Sequence, residues 1–320
     1  MTRAVVYVGI LRPDVRAVFD AFPAIAPTFV PRNDEGALAA ALPGAEILVV
    51  SNRVYTPAVG KIVREQGTAL KWIQFSTAGF DNALNAGLQP GLVITNCGGV
   101  RAHSVAEQAF TLLLSLVRQT RAIEAANNRH RWIRDEISPS LHNLAGRRML
   151  IVGMGPVGQA ITRRARAFDM TVAGVSRTPE PPPGVDRVFP RERFIEACRE
   201  SDVLVLATNL DDDTTRIINR ESLAALPKGA YVINIGRGLM VDEAALVEAL
   251  RSGHLGGAGL DVTEVEPTPA DSPLWDLPNV VLSPHVAGAG DPTEAGVGAV
   301  IAANLKTWLA GKPFPRAHRT

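Results

Sequence analysis

At 320 residues the chain is too long for one typical domain and comfortable for two, and its 46% hydrophobic and 20% charged composition excludes a disordered or low-complexity class. Its 33 basic and 32 acidic side chains leave a formal charge of +1, so no general field draws it to nucleic acid or to an anionic membrane. Cys97 and Cys198 form no Cys-x-x-Cys pair and read as reduced structural thiols. Met1 to Val8 carries no apolar signal core, and the apolar helix candidate around Phe110 to Val117 is far short of the roughly 20 residues that span a bilayer. A cytoplasmic enzyme with no membrane and no nucleic-acid partner is the expectation.

In chain order, β-branched runs alternate with helical stretches from end to end, which predicts α/β architecture with parallel sheets. The first third offers strands at Val5–Ile10, Ile25–Val30, Ile47–Val50, Leu70–Phe75 and Leu92–Thr95. Helices start near Pro13, Asp34 and Pro57, with Asp34 suited to a cap and the prolines to a first turn. One long helix is expected from Ser104 to Ala126, because Val105, Ala109, Leu112, Leu113, Leu116 and Val117 recur at helical spacing. Asn127 to Asn143 reads as a connection. Six further strands follow at Met149–Val152, Thr171–Val175, Val203–Ala207, Tyr231–Ile235, Ala258–Val262 and Val280–Ser283, with helices at Gln159–Phe168, Glu221–Ala225 and Glu243–Arg251. A last helix is read from Thr293 to Ala310.

Glycines at Gly98-Gly99 and around Gly288 mark two boundaries. The expected division is a discontinuous domain of residues 1–99 plus 288–320, with residues 100–287 inserted as a six-stranded dinucleotide-binding domain. Both parts read as doubly wound parallel-sheet domains, the inserted one Rossmann-like and the other flavodoxin-like.

Gly153-Met154-Gly155-Pro156-Val157-Gly158 sits after one predicted strand and before a helix, the context that a phosphate-binding glycine loop requires. The first glycine permits a tight turn, the second lets a pyrophosphate approach the backbone, and the third lets helix and strand close together. The end of the next strand should read the adenosine ribose. An acid there would accept from both ribose hydroxyls and repel a 2′-phosphate, yet the sequence gives Ser176-Arg177-Thr178. Ser176 and the Arg177 guanidinium suit a phosphate, so NADP(H) is the preferred cofactor and NAD(H) the alternative, with Arg177 then stacking on adenine.

Three further strand ends carry chemistry. Arg237 follows Asn234-Ile235-Gly236, Asp261 opens a segment with Glu264 and Glu266, and His285 follows Ser283-Pro284. Open α/β sheets bind ligands at the carboxyl ends of their strands, so all three should meet there. No His, Cys, Asp and Glu spacing suits a metal, and no Gly-x-Ser-x-Gly elbow supports acyl transfer. The Arg129-His130-Arg131-Trp132-Ile133-Arg134 cluster, opposed by Asp135 and Glu136, reads as a solvated connection in which Trp132 covers a domain edge.

Together these motifs resemble the D-isomer-specific 2-hydroxyacid dehydrogenases, the group of glyoxylate/hydroxypyruvate reductases and phosphoglycerate dehydrogenases. Besides the glycine loop, the likeness rests on Val105-Ala106-Glu107, Asn234 to Gly238 with Val241 to Leu246, Gly259 to Val262 with Glu266-Pro267, and Pro284 to Gly288. The resemblance implies hydride exchange between a nicotinamide and a small 2-keto or D-2-hydroxy acid. It casts Arg237 as the carboxylate clamp, His285 as the acid/base, Glu266 as its partner, and Asp261 and Thr208 as cofactor contacts. It also implies that Ala78 and Gly79 present backbone N–H groups to the substrate, with Asn52 and Arg53 lining the same pocket, and a homodimer built around residues 104–126. Leu210 departs from the family's usual proline beside the cofactor, and Glu266 argues against formate dehydrogenase, which has glutamine there. A phosphoglycerate dehydrogenase, or a non-catalytic dinucleotide-sensing relative of the corepressor type, stays open as an alternative.

Overall fold

A computed structural model describes residues 1–9, 13–290, 296–315 and 317–319. The chain divides into two compact units, Met1–Val100 with Asp291–Thr320, and Arg101–Gly290.

The first unit is built on five parallel strands, β1 (Thr2–Tyr7), β2 (Ile25–Phe29), β3 (Ile47–Val50), β4 (Trp72–Phe75) and β5 (Val93–Thr95), in the order β2-β1-β3-β4-β5. This is the doubly wound order of flavodoxin-like sheets. A two-residue strand, β13 (His318–Arg319), adds antiparallel to β5, so the sheet has an antiparallel edge that the sequence reading did not anticipate. All four residues of β3 are buried, as the unbroken run Ile47-Leu48-Val49-Val50 requires of a strand covered on both faces. The helices are α1 (Pro13–Asp20), α2 (Glu35–Ala41), α3 (Pro57–Gln66), α4 (Asp81–Ala86) and α12 (Val297–Leu309). Asp34 caps α2 by accepting from Ala37 N at 2.8 Å. Thr56 caps α3, with Pro57 in its first turn. Ile10, and residues 293–295 of the expected last helix, lie outside the described residues.

The second unit holds seven parallel strands: β6 (Arg148–Val152), β7 (Thr171–Val175), β8 (Arg187–Phe189), β9 (Val203–Leu206), β10 (Ala230–Asn234), β11 (Leu255–Leu260) and β12 (Val280–Leu282). Their order, β8-β7-β6-β9-β10-β11-β12, is the dinucleotide-binding arrangement with one added edge strand. Six strands were expected; β8, only three residues long, was missed. Its helices are α5 (Ala102–Val117), α6 (Thr120–Asn127), α7 (Arg134–Ile137), α8 (Pro156–Ala167), α9 (Phe194–Arg199), α10 (Arg220–Ala225) and α11 (Glu243–Arg251). Apolar clusters cover both faces of the sheet.

The single helix expected from Ser104 to Ala126 is instead two. Gln119 turns left-handed at φ 53° between α5 and α6, and Arg121 donates to the carbonyls of Leu277 and Val280. No glycine or proline marks the break, so helical spacing alone carries the reading across it. Likewise the connection at 127–143 contains the one-turn α7. No helix among the described residues is long and apolar enough to cross a membrane.

Candidate functional site

Six segments of interest leave the same carboxyl edge of the seven-stranded sheet, because its strands are all parallel. The sheet reverses its order between β6 and β9, which is where such folds open a crevice.

β6 runs into Gly153, whose φ of +101° favours glycine and whose added Cβ would stand 2.6 Å from the Ala207 carbonyl oxygen. At Gly158 a Cβ would meet the Gly153 carbonyl at 2.0 Å, so α8 packs onto the loop only with glycine there. Gly155 caps α8 and an added Cβ would meet nothing within 4 Å. That open space lies before the first turn of α8, whose N–H groups lack intrahelical acceptors. Close packing at the first and third glycines and room at the second fit a dinucleotide pyrophosphate. Met154 and Val157 are partly buried beside Pro156, which starts the helix.

At the end of β7, Ser176 Oγ accepts from Thr178 N at 3.1 Å, and Arg177 is exposed. Thr208, just past β9, stands against the glycine loop on one side, and its carbonyl stands against Gly236 on the other. Leu210 packs on the apolar cluster, and Thr214 and Asp211 bond reciprocally, Asp211 N to Thr214 Oγ1 at 2.7 Å and Thr214 N to Asp211 Oδ1 at 2.8 Å. This shapes the loop without a proline.

Past β10, the fully buried Asn234 clasps its own turn: Oδ1 accepts from Gly236 N at 3.0 Å and Nδ2 donates to the Arg237 carbonyl at 2.9 Å. Arg237 Nη1 reaches the Gly236 carbonyl at 2.7 Å, and the side chain is half-buried. An added Cβ on Gly238 would lie 1.8 Å from the Thr263 carbonyl, so this turn is pressed against the one that carries Glu266.

His285 Nδ1 lies 2.7 Å from Glu266 Oε2. Both side chains keep about 40% of their surface, at 42% and 38%. Partial burial of Glu266 acts to raise its pKa, but the hydrogen bond and charge of His285, the Thr263 N–H and the Arg237 guanidinium together hold it below the ordinary carboxylate value. Glu264, the other acid of that segment, pairs with Arg216 at 3.0 Å. The residue facing the imidazole is therefore Glu266. His285 has φ 53°, a conformation a non-glycine residue holds only when its surroundings impose it. Asp261, expected at the cofactor, is 1% exposed, and its carboxylate is engaged with the residues around His285: Ser283 Oγ at 2.5 Å, Val286 N at 3.0 Å and Ala287 N at 2.8 Å.

In the first unit, Asn52 is buried and accepts on Oδ1 from Asn82 N at 3.0 Å, while its carbonyl accepts from Asn82 Nδ2 at 3.0 Å. Its N–H donates to Thr77 Oγ1 at 3.2 Å. Asn52 thus braces the 77–82 loop, and its carboxamide is committed to that task. Ala78 is exposed on that loop, Gly79 is buried, and Arg53 is exposed on the adjoining turn. The sequence reading missed Asn234, Asn82, Ser283 and Gln108. Asn234 and Ser283 stood within motifs it had singled out, but their roles depend on where the turns fold back. Among the described residues, no three His, Cys, Asp or Glu side chains gather for a metal.

The family model for the D-isomer specific 2-hydroxyacid dehydrogenase NAD-binding domain matches residues 110–287. The chain is 33% identical over 289 residues to a glyoxylate/hydroxypyruvate reductase of Arabidopsis thaliana, covering 90% of this chain and 85% of that one. Among solved structures it is similar to a D-isomer specific 2-hydroxyacid dehydrogenase from Xanthobacter autotrophicus Py2 in complex with NADPH, at TM-score 0.85 and 28% identity, covering 99% and 98% of the two chains. An NADPH-dependent glyoxylate/hydroxypyruvate reductase from Sinorhizobium meliloti superposes at TM-score 0.83 and 27% identity, with the same coverage. The chain belongs to the D-isomer specific 2-hydroxyacid dehydrogenase family, and is an NAD(P)-dependent oxidoreductase of the CH–OH group similar to the glyoxylate/hydroxypyruvate reductases.

Proposed function

We propose that this enzyme reduces a small 2-keto acid of the glyoxylate or hydroxypyruvate type, using NADPH in preference to NADH. The single observation that carries the reading is the His285–Glu266 couple at 2.7 Å, on a turn pressed against that of Arg237. When bound, the reduced nicotinamide supplies the hydride. His285 gives the keto oxygen its proton, through the ring nitrogen that does not face Glu266. Glu266 fixes the ring's orientation by facing Nδ1 at 2.7 Å, which leaves the other ring nitrogen for the substrate. The Arg237 guanidinium holds the substrate carboxylate in paired hydrogen bonds and polarises the keto group.

For the dinucleotide, residues Gly153 to Gly158 and the α8 terminus would hold the pyrophosphate, with Thr208 alongside. The turn Ser176-Arg177-Thr178 presents a hydroxyl and a cation and no acid, which supports a 2′-phosphate. Two similar structures hold NADPH or NADP, which favours the same choice. In the first unit, the backbone N–H groups of Ala78 and Gly79 are the proposed carboxylate contacts, with Arg53 and the loop-bracing Asn52 beside them. A homodimer through the 104–126 region is also proposed, supported by Ile123 within it and Trp132 just beyond it, which stay 37% and 90% exposed, so that Trp132 does not cover a domain edge as expected.

The test is a panel of 2-keto acids, glyoxylate, hydroxypyruvate and 3-phosphohydroxypyruvate among them, mixed with protein and NADPH or NADH while nicotinamide absorbance is followed. Rapid loss with glyoxylate or hydroxypyruvate, and a lower KM for NADPH than for NADH, is the expected outcome. No turnover with any acid under either cofactor would defeat the proposal.

A further inference from the structure

The position of His285 depends on more than Glu266. Its turn is fastened from behind by one buried carboxylate. Asp261 Oδ1 accepts from Ser283 Oγ at 2.5 Å and Val286 N at 3.0 Å, and Oδ2 accepts from Ala287 N at 2.8 Å. The Asp261 carbonyl accepts the His285 N–H itself, at 2.8 Å. The Ser283 hydroxyl also receives Gln108 Nε2 at 2.9 Å, from the middle of α5. A chain of hydrogen bonds therefore runs from the helix, through Ser283, to the carboxylate that grips both peptide N–H groups following His285.

Such a chain has a physical purpose here. His285 sits at φ 53°, a conformation that relaxes unless surrounding contacts hold it. Oδ1 of Asp261 is shared between a hydroxyl and one backbone N–H, so losing the hydroxyl halves the donors on that oxygen. It also leaves the Gln108 amide without its acceptor. A buried carboxylate short of donors turns to find others, and here the turn it would disturb carries the imidazole.

We propose that Ser283, backed by Gln108, is a positioning residue that acts through Asp261 to hold His285 in line with Glu266. This rests on the reading of His285 as the proton donor. Neither Ser283 nor Gln108 need touch substrate. Their contribution falls on kcat, which senses proton delivery, and leaves the binding of keto acid and cofactor largely as it was.

Three variants of the full chain test it: Ser283→Ala, Ser283→Thr, which keeps the hydroxyl, and Gln108→Leu, which removes the support from the helix side. Two readouts are taken. The first is steady-state kinetics with the best 2-keto acid. The second is the hydrogen-bonded Nδ1–H signal of His285 in protein labelled with 15N-histidine, identified by its loss in His285→Asn. Ser283→Ala is expected to lower kcat about tenfold, the scale of one lost hydrogen bond to a charged group, with both KM values within about twofold. The Nδ1–H signal should broaden or vanish, and Ser283→Thr should restore signal and kcat together. Gln108→Leu should move both readouts the same way to a smaller extent, and carries the test where Ser283→Ala does not fold. An unchanged signal in Ser283→Ala, a loss confined to KM, or a threonine variant as impaired as alanine overturns the proposal. The signal needs no substrate, so its loss in Ser283→Ala supports the positioning role even where the wild type turns over no keto acid, the result that defeats the functional reading instead.

Discussion

His285 occupies a left-handed backbone conformation, which for a non-glycine residue costs on the order of 1–3 kcal/mol. The contacts that impose it also set its side chain 2.7 Å from Glu266. The Glu266 carboxyl is held below its ordinary pKa, chiefly by His285 once the opposing effect of burial is overcome. A depressed carboxyl pKa means that the couple stabilises the fold fully above the unfolded glutamate value of about 4.3, and loses that contribution as pH falls through the lower folded value. The melting temperature of wild type should therefore exceed that of Glu266→Gln just above that unfolded value, and the margin should close as pH falls below about 4. A margin that widens on acidification below about pH 4 contradicts this account. Of these residues the sequence showed the chemistry-bearing side chains: Arg237, Glu266 and His285 are legible because each follows a strand in a parallel sheet. The family resemblance chose Glu266 over Glu264 as the imidazole's partner; the residues alone leave both open, since both stand on one short loop. Only its path, with Arg216 drawing Glu264 away at 3.0 Å, separates them.

Elements were legible where local signals were strong. Glycine loop, caps and strands β1 to β7 follow from turn residues and β-branched runs. The break between α5 and α6 does not, because Leu116-Val117-Arg118-Gln119-Thr120 continues the helical pattern. Tertiary contacts decide it: Arg121 is drawn to the Leu277 and Val280 carbonyls, and the Gln119 side chain donates to the Leu116 carbonyl at 3.2 Å. At φ 53° this position should accept glycine and reject a β-branched residue. Gln119→Gly is expected to keep or slightly raise thermal stability, whereas Gln119→Val should lower it by about 1–2 kcal/mol in denaturant titration. Equal stability of the two variants would show that the break is not held left-handed. The short β8 and β13 escaped notice for a related reason. Strands of three and two residues are set by their neighbours, Val175 and Ile94 among them, more than by their own composition.

For the whole molecule, the balanced charge of the chain, two parallel sheets and the glycine loop already fixed the class of protein, and the family match over residues 110–287 places it among the 2-hydroxyacid dehydrogenases. Within the second unit, six strand ends converge on one edge because every strand is parallel, so residues more than a hundred positions apart, such as Gly153 and His285, serve one region. The parallel, doubly wound character of the sheets was readable from the alternation of strands and helices. The supporting roles of buried Asn234 and Asp261 and of half-buried Ser283 were not, because what a polar side chain braces depends on turns that only the folded chain defines. The central claim, that His285 is the proton donor of a keto-acid reduction, is tested most directly by kcat/KM of His285→Ala on the best 2-keto acid, with NADPH affinity measured alongside. The account predicts a fall of about 10²- to 10⁴-fold with NADPH affinity within about threefold of wild type. A catalytic efficiency close to wild type would contradict it.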